Sequence, residues 1–193
     1  MLNIGVLALQ GSVKEHLTAL NRLKNVQAIE VKDRNTLNNV HGIIMPGGES
    51  TTMGKLLNDF DLLSPLKKRI EAGLPVWGTC AGMVLLAKDI VGEPNIYLGV
   101  LNASVKRNAY GSQLDSFIIE KQIDEISNTP QKLVFIRAPW IQEVSDNVKV
   151  IAKHNDKIIA VKQENILATS FHPELTDNID FYNYFYRMCR YFN

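Results

Sequence analysis

Leu74-Pro75-Val76-Trp77-Gly78-Thr79-Cys80-Ala81-Gly82-Met83-Val84-Leu85-Leu86-Ala87-Lys88 is the stretch whose reading decides the rest. Its apolar beginning reads as a buried strand and residues 83–88 as a helix, with Gly-x-Cys-x-Gly between them. That is the pattern of a nucleophile elbow, with cysteine in the serine place. The two glycines have a steric reason: a strand turning directly into a helix brings two backbones together, and a Cβ at Gly78 or Gly82 would collide. Cys80 is thereby held at the tip of the turn, at a helix start whose free N–H groups and dipole favour thiolate over thiol. The plain alternative is a buried cysteine beside ordinary turn glycines. It is the better reading for a lone cysteine, and the strand-helix context counts against it.

Outward from the elbow, the pattern is of strands alternating with helices. Residues 2–9, 26–31 and 42–45 read as strands, nearly continuous in apolar residues, which argues for a parallel sheet covered on both faces. Ser12 with Glu15 reads as a capping box opening a helix with Val13, Leu17, Leu20 and Lys24 on one face. After the third strand comes Pro46-Gly47-Gly48-Glu49-Ser50-Thr51-Thr52, then a helical pattern of Met53, Leu56, Leu57 and Phe60. Two glycines at a strand end let backbone approach a ligand and can help form an oxyanion hole, although Pro-Gly-Gly is also ordinary turn chemistry. Ser64-Pro65 reads as a cap and first position of the next helix, ending near Gly73.

Between residues 92 and 162 the segments become shorter and alternating, with Asn155-Asp156 as a hairpin turn; this reads as antiparallel structure added to the sheet edge. Arg107 and Arg137 stand out there, as site residues or as solvated surface arginines. Residues 166–171 form the last strand and deliver His172-Pro173-Glu174. In extended chain, side chains two apart share a face, so Glu174 can orient His172, and a histidine base brought to a cysteine from elsewhere is triad logic. His16, His41 and His154 read as ordinary surface or capping histidines, and Cys189 as packing on a C-terminal helix. The fold class is α/β, a three-layer sandwich around a central mixed, mainly parallel sheet.

Composition narrows the function classes. The 193 residues, 46% hydrophobic, suffice for one core, and a single domain over residues 1–193 is expected. A net charge of +1 from 21 basic and 20 acidic residues, well mixed, gives no face for nucleic acid. Two distant cysteines form no disulfide framework and no metal-ligand spacing, which suits the cytoplasm. No apolar stretch approaches a membrane span of about 18 residues. Neither a metal nor an organic cofactor is indicated.

The elbow, the Pro46-Gly47-Gly48 loop and the terminal His172-Pro173-Glu174 together resemble a class I, triad-type, flavodoxin-like glutamine amidotransferase. Leu7-Ala8-Leu9-Gln10-Gly11, Pro46-Gly47-Gly48-Glu49-Ser50-Thr51-Thr52, Arg107-Asn108-Ala109-Tyr110-Gly111, Phe135-Ile136-Arg137-Ala138-Pro139 and Ser170-Phe171-His172-Pro173-Glu174-Leu175 are similar to the glutaminase subunits of pyridoxal 5'-phosphate synthases. The resemblance spans essentially the whole chain, and Glu49 is its specific element. Ser112 departs from it, where arginine is frequent.

The resemblance implies hydrolysis of L-glutamine to glutamate and ammonia. The ammonia would be channelled to a separate (β/α)8-barrel synthase subunit within a large hetero-oligomer. It implies Cys80, His172 and Glu174 as the triad, and Gly47, Gly48, Glu49, Ser50, Arg107, Ile136 and Arg137 at the glutamine site. Gly48 and Ala81 would supply the oxyanion donors, and Gln10 would lie on the surface that senses docking. Three alternatives stay open: a glutaminase serving a different synthase, a free-standing hydrolase such as a γ-glutamyl peptidase or thioesterase, and a non-enzymatic binding subunit.

Overall fold

The structure is a computed structural model describing residues 1–107 and 116–193. In chain order its elements are β1 (Leu2–Leu7), α1 (Val13–Leu20), β2 (Val26–Val31), α2 (Arg34–Asn38), β3 (Gly42–Met45), α3 (Ser50–Asp59) and α4 (Leu63–Glu71). Then come β4 (Val76–Thr79), α5 (Ala81–Leu86), β5 (Ala87–Ile90), β6 (Leu101–Lys106), β7 (Ser116–Ile123) and β8 (Ser127–Ile136). The chain closes with β9 (Trp140–Val144), β10 (Lys149–His154), β11 (Lys157–Gln163), β12 (Ile166–Thr169), a 3-10 turn (Pro173–Leu175) and α6 (Asp180–Phe192).

One sheet organises the molecule, in the order β2-β1-β3-β4-β12-β11-β9-β6-β5, with β10 also paired to β11. From β2 to β12 every neighbour is parallel, and beyond β12 the pairings to β11, β9 and β6 are antiparallel. The apolar strands β3, β4 and β12 are buried along their whole length, as parallel strands covered on both faces must be. Ile43, Met45, Val76 and Ala168 point to one face, where Leu37, Met53, Leu57, Leu66, Ile70 and Met83 bring down α2 to α5. Ile4, Val6, Ile44, Trp77 and Leu167 point to the other, which α1 and α6 cover with Leu20, Phe181, Tyr182, Phe185 and Cys189. Trp77 is fully buried there, stacked on Phe181 at 6.0 Å and edge-on to Tyr182 at 5.2 Å. Such aromatic pairs contribute roughly 0.5–1.5 kcal/mol beyond the area they bury.

The hairpin turn holds: Asn155 and Asp156 adopt φ of 47° and 61° between β10 and β11, the left-handed pair that a tight hairpin requires. Cys189 is core packing as expected, with its thiol pushed up by burial.

Several local expectations give way to tertiary structure. The helix after the elbow stops at Leu86, because Ala87–Ile90 is drawn into parallel pairing with β6 as β5. The middle segments do not all join the sheet edge. Among the described residues β7 and β8 pair only with each other, and their ribbon lays Leu133 and Phe135 over the α1/α6 face. The Ser64 cap is displaced: α4 begins at Leu63, where Leu62 and Leu66 are buried, so Ser64 and Pro65 fall within its first turn. A short α2, opened by the reciprocal Asp33 and Thr36 capping box, lies in the connection between β2 and β3. Among the described residues no helix is long and apolar enough to cross a membrane.

Candidate active site

The carboxyl ends of β1, β3, β4 and β12 open into one cleft of about 420 Å³. At its floor β4 passes into α5 through Cys80, whose φ of 48° and ψ of −105° lie outside the regions a side chain normally adopts. The strain is maintained from both sides. The Cys80 N–H donates to the Thr169 carbonyl at 2.8 Å, and the Cys80 carbonyl accepts from the Met83 N–H at 3.1 Å. The elbow glycines are needed for the reason the sequence suggests. A Cβ on Gly78 would fall 2.6 Å from the carbonyl carbon of Gly82, and one on Gly82 would fall 2.0 Å from the carbonyl oxygen of Met45.

His172 and Glu174 reach Cys80 from the end of β12. His172 Nδ1 lies 2.7 Å from Glu174 Oε1, both side chains being buried. They do not share a face of extended chain, as the spacing suggested. β12 ends at Thr169, and Pro173–Leu175 is a 3-10 turn with proline at its first position, which the fixed proline φ suits. The curl of that turn brings the carboxylate back under the ring. Burial disfavours a charged His172, but interaction with Cys80 and Glu174 outweighs it and pushes the pKa up to about 10. Burial likewise opposes ionisation of Glu174, while the facing His16 and His172 and the hydroxyl of Ser12 hold it down to about 2. His172 and Glu174 therefore form an ion pair at neutral pH.

The Pro46-Gly47-Gly48 loop packs against this group. A Cβ on Gly47 would lie 2.4 Å from His172 Cε1 and 3.5 Å from Cys80 Cβ, so only glycine lets the loop approach. The Gly47 carbonyl accepts the Ser12 N–H at 3.0 Å, and Gln10 Oε1 accepts the Glu49 N–H at 2.9 Å, which ties the loop to the end of β1. Glu49 caps α3, accepting from the N–H groups of Thr51 at 3.0 Å and Thr52 at 2.7 Å. Burial opposes its charge, but these bonds and that of the Thr52 hydroxyl together outweigh it and hold its pKa down to about 2. Arg107 reaches it at 3.3 Å while pairing with Glu93 at 2.9 Å. Arg137, at the end of β8, has a φ of 44°.

Thus Cys80, His172, Glu174, Gly47, Gly48, Glu49, Ser50, Ala81, Arg107, Ile136 and Arg137 all border the one cleft, with Gln10 beside them. Asn108, Ala109, Tyr110, Gly111 and Ser112 lie outside the described residues.

Two residues correct the sequence reading. Ser12 precedes α1 but makes no side-chain cap: its hydroxyl is turned to Glu174 Oε1 and donates to it at 2.6 Å, a charge-assisted bond. His16 is no surface histidine: it is fully buried between β4, α6 and the 3-10 turn. Its face of α1 carries Ala19 and Leu20 into the core, so the buried stripe is His16, Ala19 and Leu20, with Val13 and Leu17 only partly covered. The spacing of His16 to Leu20 was the available signal.

Residues 6–191 match the model of the SNO glutamine amidotransferase family. The chain belongs to that family. It is 55% identical over 185 residues to the pyridoxal 5'-phosphate synthase subunit PdxT of Clostridium botulinum (strain Loch Maree / Type A3), covering 96% of each chain. To the protein of the same name from Thermoanaerobacter sp. (strain X514) it is 52% identical, covering 97% of this chain and 99% of the other. A crystal structure of a glutamine amidotransferase superposes with a TM-score of 0.91 at 42% identity, covering 97% of this chain and 98% of that one. The fold described is thus shared with that structure.

Proposed function

We propose that residues 1–193 act as one glutaminase unit of a pyridoxal 5'-phosphate synthase, hydrolysing L-glutamine to glutamate and ammonia and passing the ammonia to a synthase subunit. The observation that carries the reading is the strained Cys80 at the elbow, beside a His172 that is paired to Glu174 at 2.7 Å. The PdxT names of relatives about half identical over nearly their full length support the assignment to vitamin B6 synthesis.

In this mechanism Cys80, its proton held by His172, attacks the side-chain amide carbon of glutamine. The C–S bond forms as the carbonyl π pair moves to oxygen, and the oxyanion is met by the N–H groups of Ala81 and Gly48. The Ala81 N–H opens α5 and has no partner within the helix. Losing one such donor typically costs on the order of 10²-fold in rate. The carbonyl re-forms, the C–N bond breaks, and His172 gives its proton to the departing ammonia, leaving a γ-glutamyl thioester on Cys80. Water, deprotonated by His172, then releases glutamate and restores the cysteine. Glu174 stays ionised and orients the ring. Glu49 offers its carboxylate to the substrate α-ammonium, and Arg107 and Arg137 face the α-carboxylate. The ammonia travels to a (β/α)8-barrel partner in a large hetero-oligomer, in the cytoplasm, a compartment that suits two free cysteines.

The test is ammonia release from L-glutamine by the pure protein, alone and with its synthase subunit. The expected result is strong stimulation by the synthase. High activity indifferent to it would indicate a free-standing hydrolase, and no release in either case, with Cys80 reduced, would overturn the assignment.

A further inference from the structure

Glu174 Oε2, the carboxylate oxygen not bonded to His172, is buried and has no hydrogen-bond partner among the described residues. His16 Nε2 lies 3.5 Å from it, and the His16 ring is itself fully buried. A carboxylate oxygen in that position carries a large desolvation cost unless a donor faces it. The tautomer follows from both ring nitrogens. Nε2 faces the Glu174 carboxylate oxygen, which would repel a ring lone pair, and Tyr182, its phenol kept protonated by burial, places its hydroxyl 2.8 Å from Nδ1 where it can donate. Nδ1 is then the acceptor, and the neutral ring carries its hydrogen on Nε2. That N–H lies between Glu174 Oε2 and the hydroxyl of Thr79, 3.2 Å away and next to the nucleophile.

On the reading of the cleft as a glutaminase, we propose that His16 is a positioning residue for the reaction. Held by Tyr182, it directs Nε2–H at the second oxygen of Glu174 and so fixes the carboxylate that orients His172. The chain of contacts runs from α6 through α1 to the 3-10 turn: Tyr182 to His16, His16 to Glu174, Glu174 to His172, and His172 to Cys80. Ser12 secures the oxygen that faces His172 and His16 the oxygen that faces away, so the carboxylate cannot rotate. The titratable groups facing Glu174 are His16 from α1, His172 from its own turn, Cys80 through the His172 ring and Tyr182 from α6; Glu15 acts on His16 from the same helix.

The experiment measures ammonia release against pH, with the synthase subunit present, for wild type, His16→Leu, His16→Gln and Tyr182→Phe. Removing a donor from a carboxylate raises its pKa, so Glu174 would take up a proton at higher pH and activity would fail sooner on acidification. For His16→Leu we expect kcat to fall about tenfold or more, with KM within about twofold and the acid limb moved up by about one pH unit. His16→Gln, whose amide nitrogen can stand where Nε2 stood, should recover most of both losses. Tyr182→Phe loses only a hydroxyl and should fold even if His16→Leu does not; it should show a smaller change in the same direction. The proposal is overturned if folded His16→Leu or Tyr182→Phe keeps both kcat and the acid limb, if the loss falls on KM, or if His16→Gln is no better than His16→Leu. Wild type that releases no ammonia would refute the glutaminase reading instead.

Discussion

Gly82→Ala isolates the steric argument of the elbow. The added Cβ would lie 2.0 Å from the Met45 carbonyl oxygen, 2.8 Å from its carbon and 3.0 Å from the Met45 Cβ. Two of these are main-chain atoms of a buried strand, so no rotamer change relieves the contact. Either α5 or β3 must move by more than about 1 Å to restore an ordinary van der Waals distance. Overpacking of this kind typically costs roughly 1–3 kcal/mol, against which alanine gains at most about 1 kcal/mol in helix propensity. The net loss of stability is therefore modest. The effect on the reaction is larger, since α5 carries the Ala81 N–H and fixes Cys80, and a displacement of about 1 Å can cost on the order of 10²-fold. Urea unfolding and synthase-supplemented ammonia release on the same preparation separate the two. A variant with wild-type kcat would refute the claim that close strand-helix approach sets the position of Cys80.

Two further outcomes follow from the charges of the cleft. Glu49→Gln should raise the KM for glutamine with little change in kcat, because the carboxylate is assigned to the substrate ammonium; an unchanged KM removes that role. Stability should depend on pH through the His172–Glu174 pair. Glu174 is lowered from 4.5 to about 2, so its contribution is present above pH 4.5 and is lost as pH falls toward 2; His172 is raised from 6.5 to about 10, so its contribution is present below pH 6.5 and lost as pH rises through 10. His16, with a lowered pKa, adds to the acid-side loss because the unfolded histidine protonates first. Denaturant midpoints measured across that range should fall on both sides, and His172→Gln should flatten the alkaline side; identical profiles would contradict the ion pair.

What the sequence made legible was chemistry carried by neighbours in the chain. Strands β2 and β3 lie at residues 26–31 and 42–45 as their apolar runs suggest, and the elbow forms where two glycines bracket Cys80. The hidden part depends on partners far away in sequence. Ser12 has a cap to make locally, and gives it up because a carboxylate from the far end of the chain lies within 2.6 Å. His16 looks ordinary on α1, since what gives it meaning comes from Thr79, Glu174 and Tyr182 on three other elements. His172 and Glu174 were paired correctly on a strand geometry that the chain does not adopt. Pro173 favours the 3-10 turn as readily as extension, and local rules do not choose between them. Glu49, singled out for a substrate contact, is also the cap of α3, a use that local rules hide because they favour Ser, Thr, Asp or Asn as caps and so point to the hydroxyl residues that follow it.

The most direct test compares wild type with Cys80→Ala for ammonia release from L-glutamine in the presence of the synthase subunit, with unfolding midpoints measured alongside. The account predicts that the variant keeps its fold and its binding of the synthase while turnover falls to background. Appreciable release by a folded Cys80→Ala would contradict it, because the reaction would then need no nucleophile at the elbow.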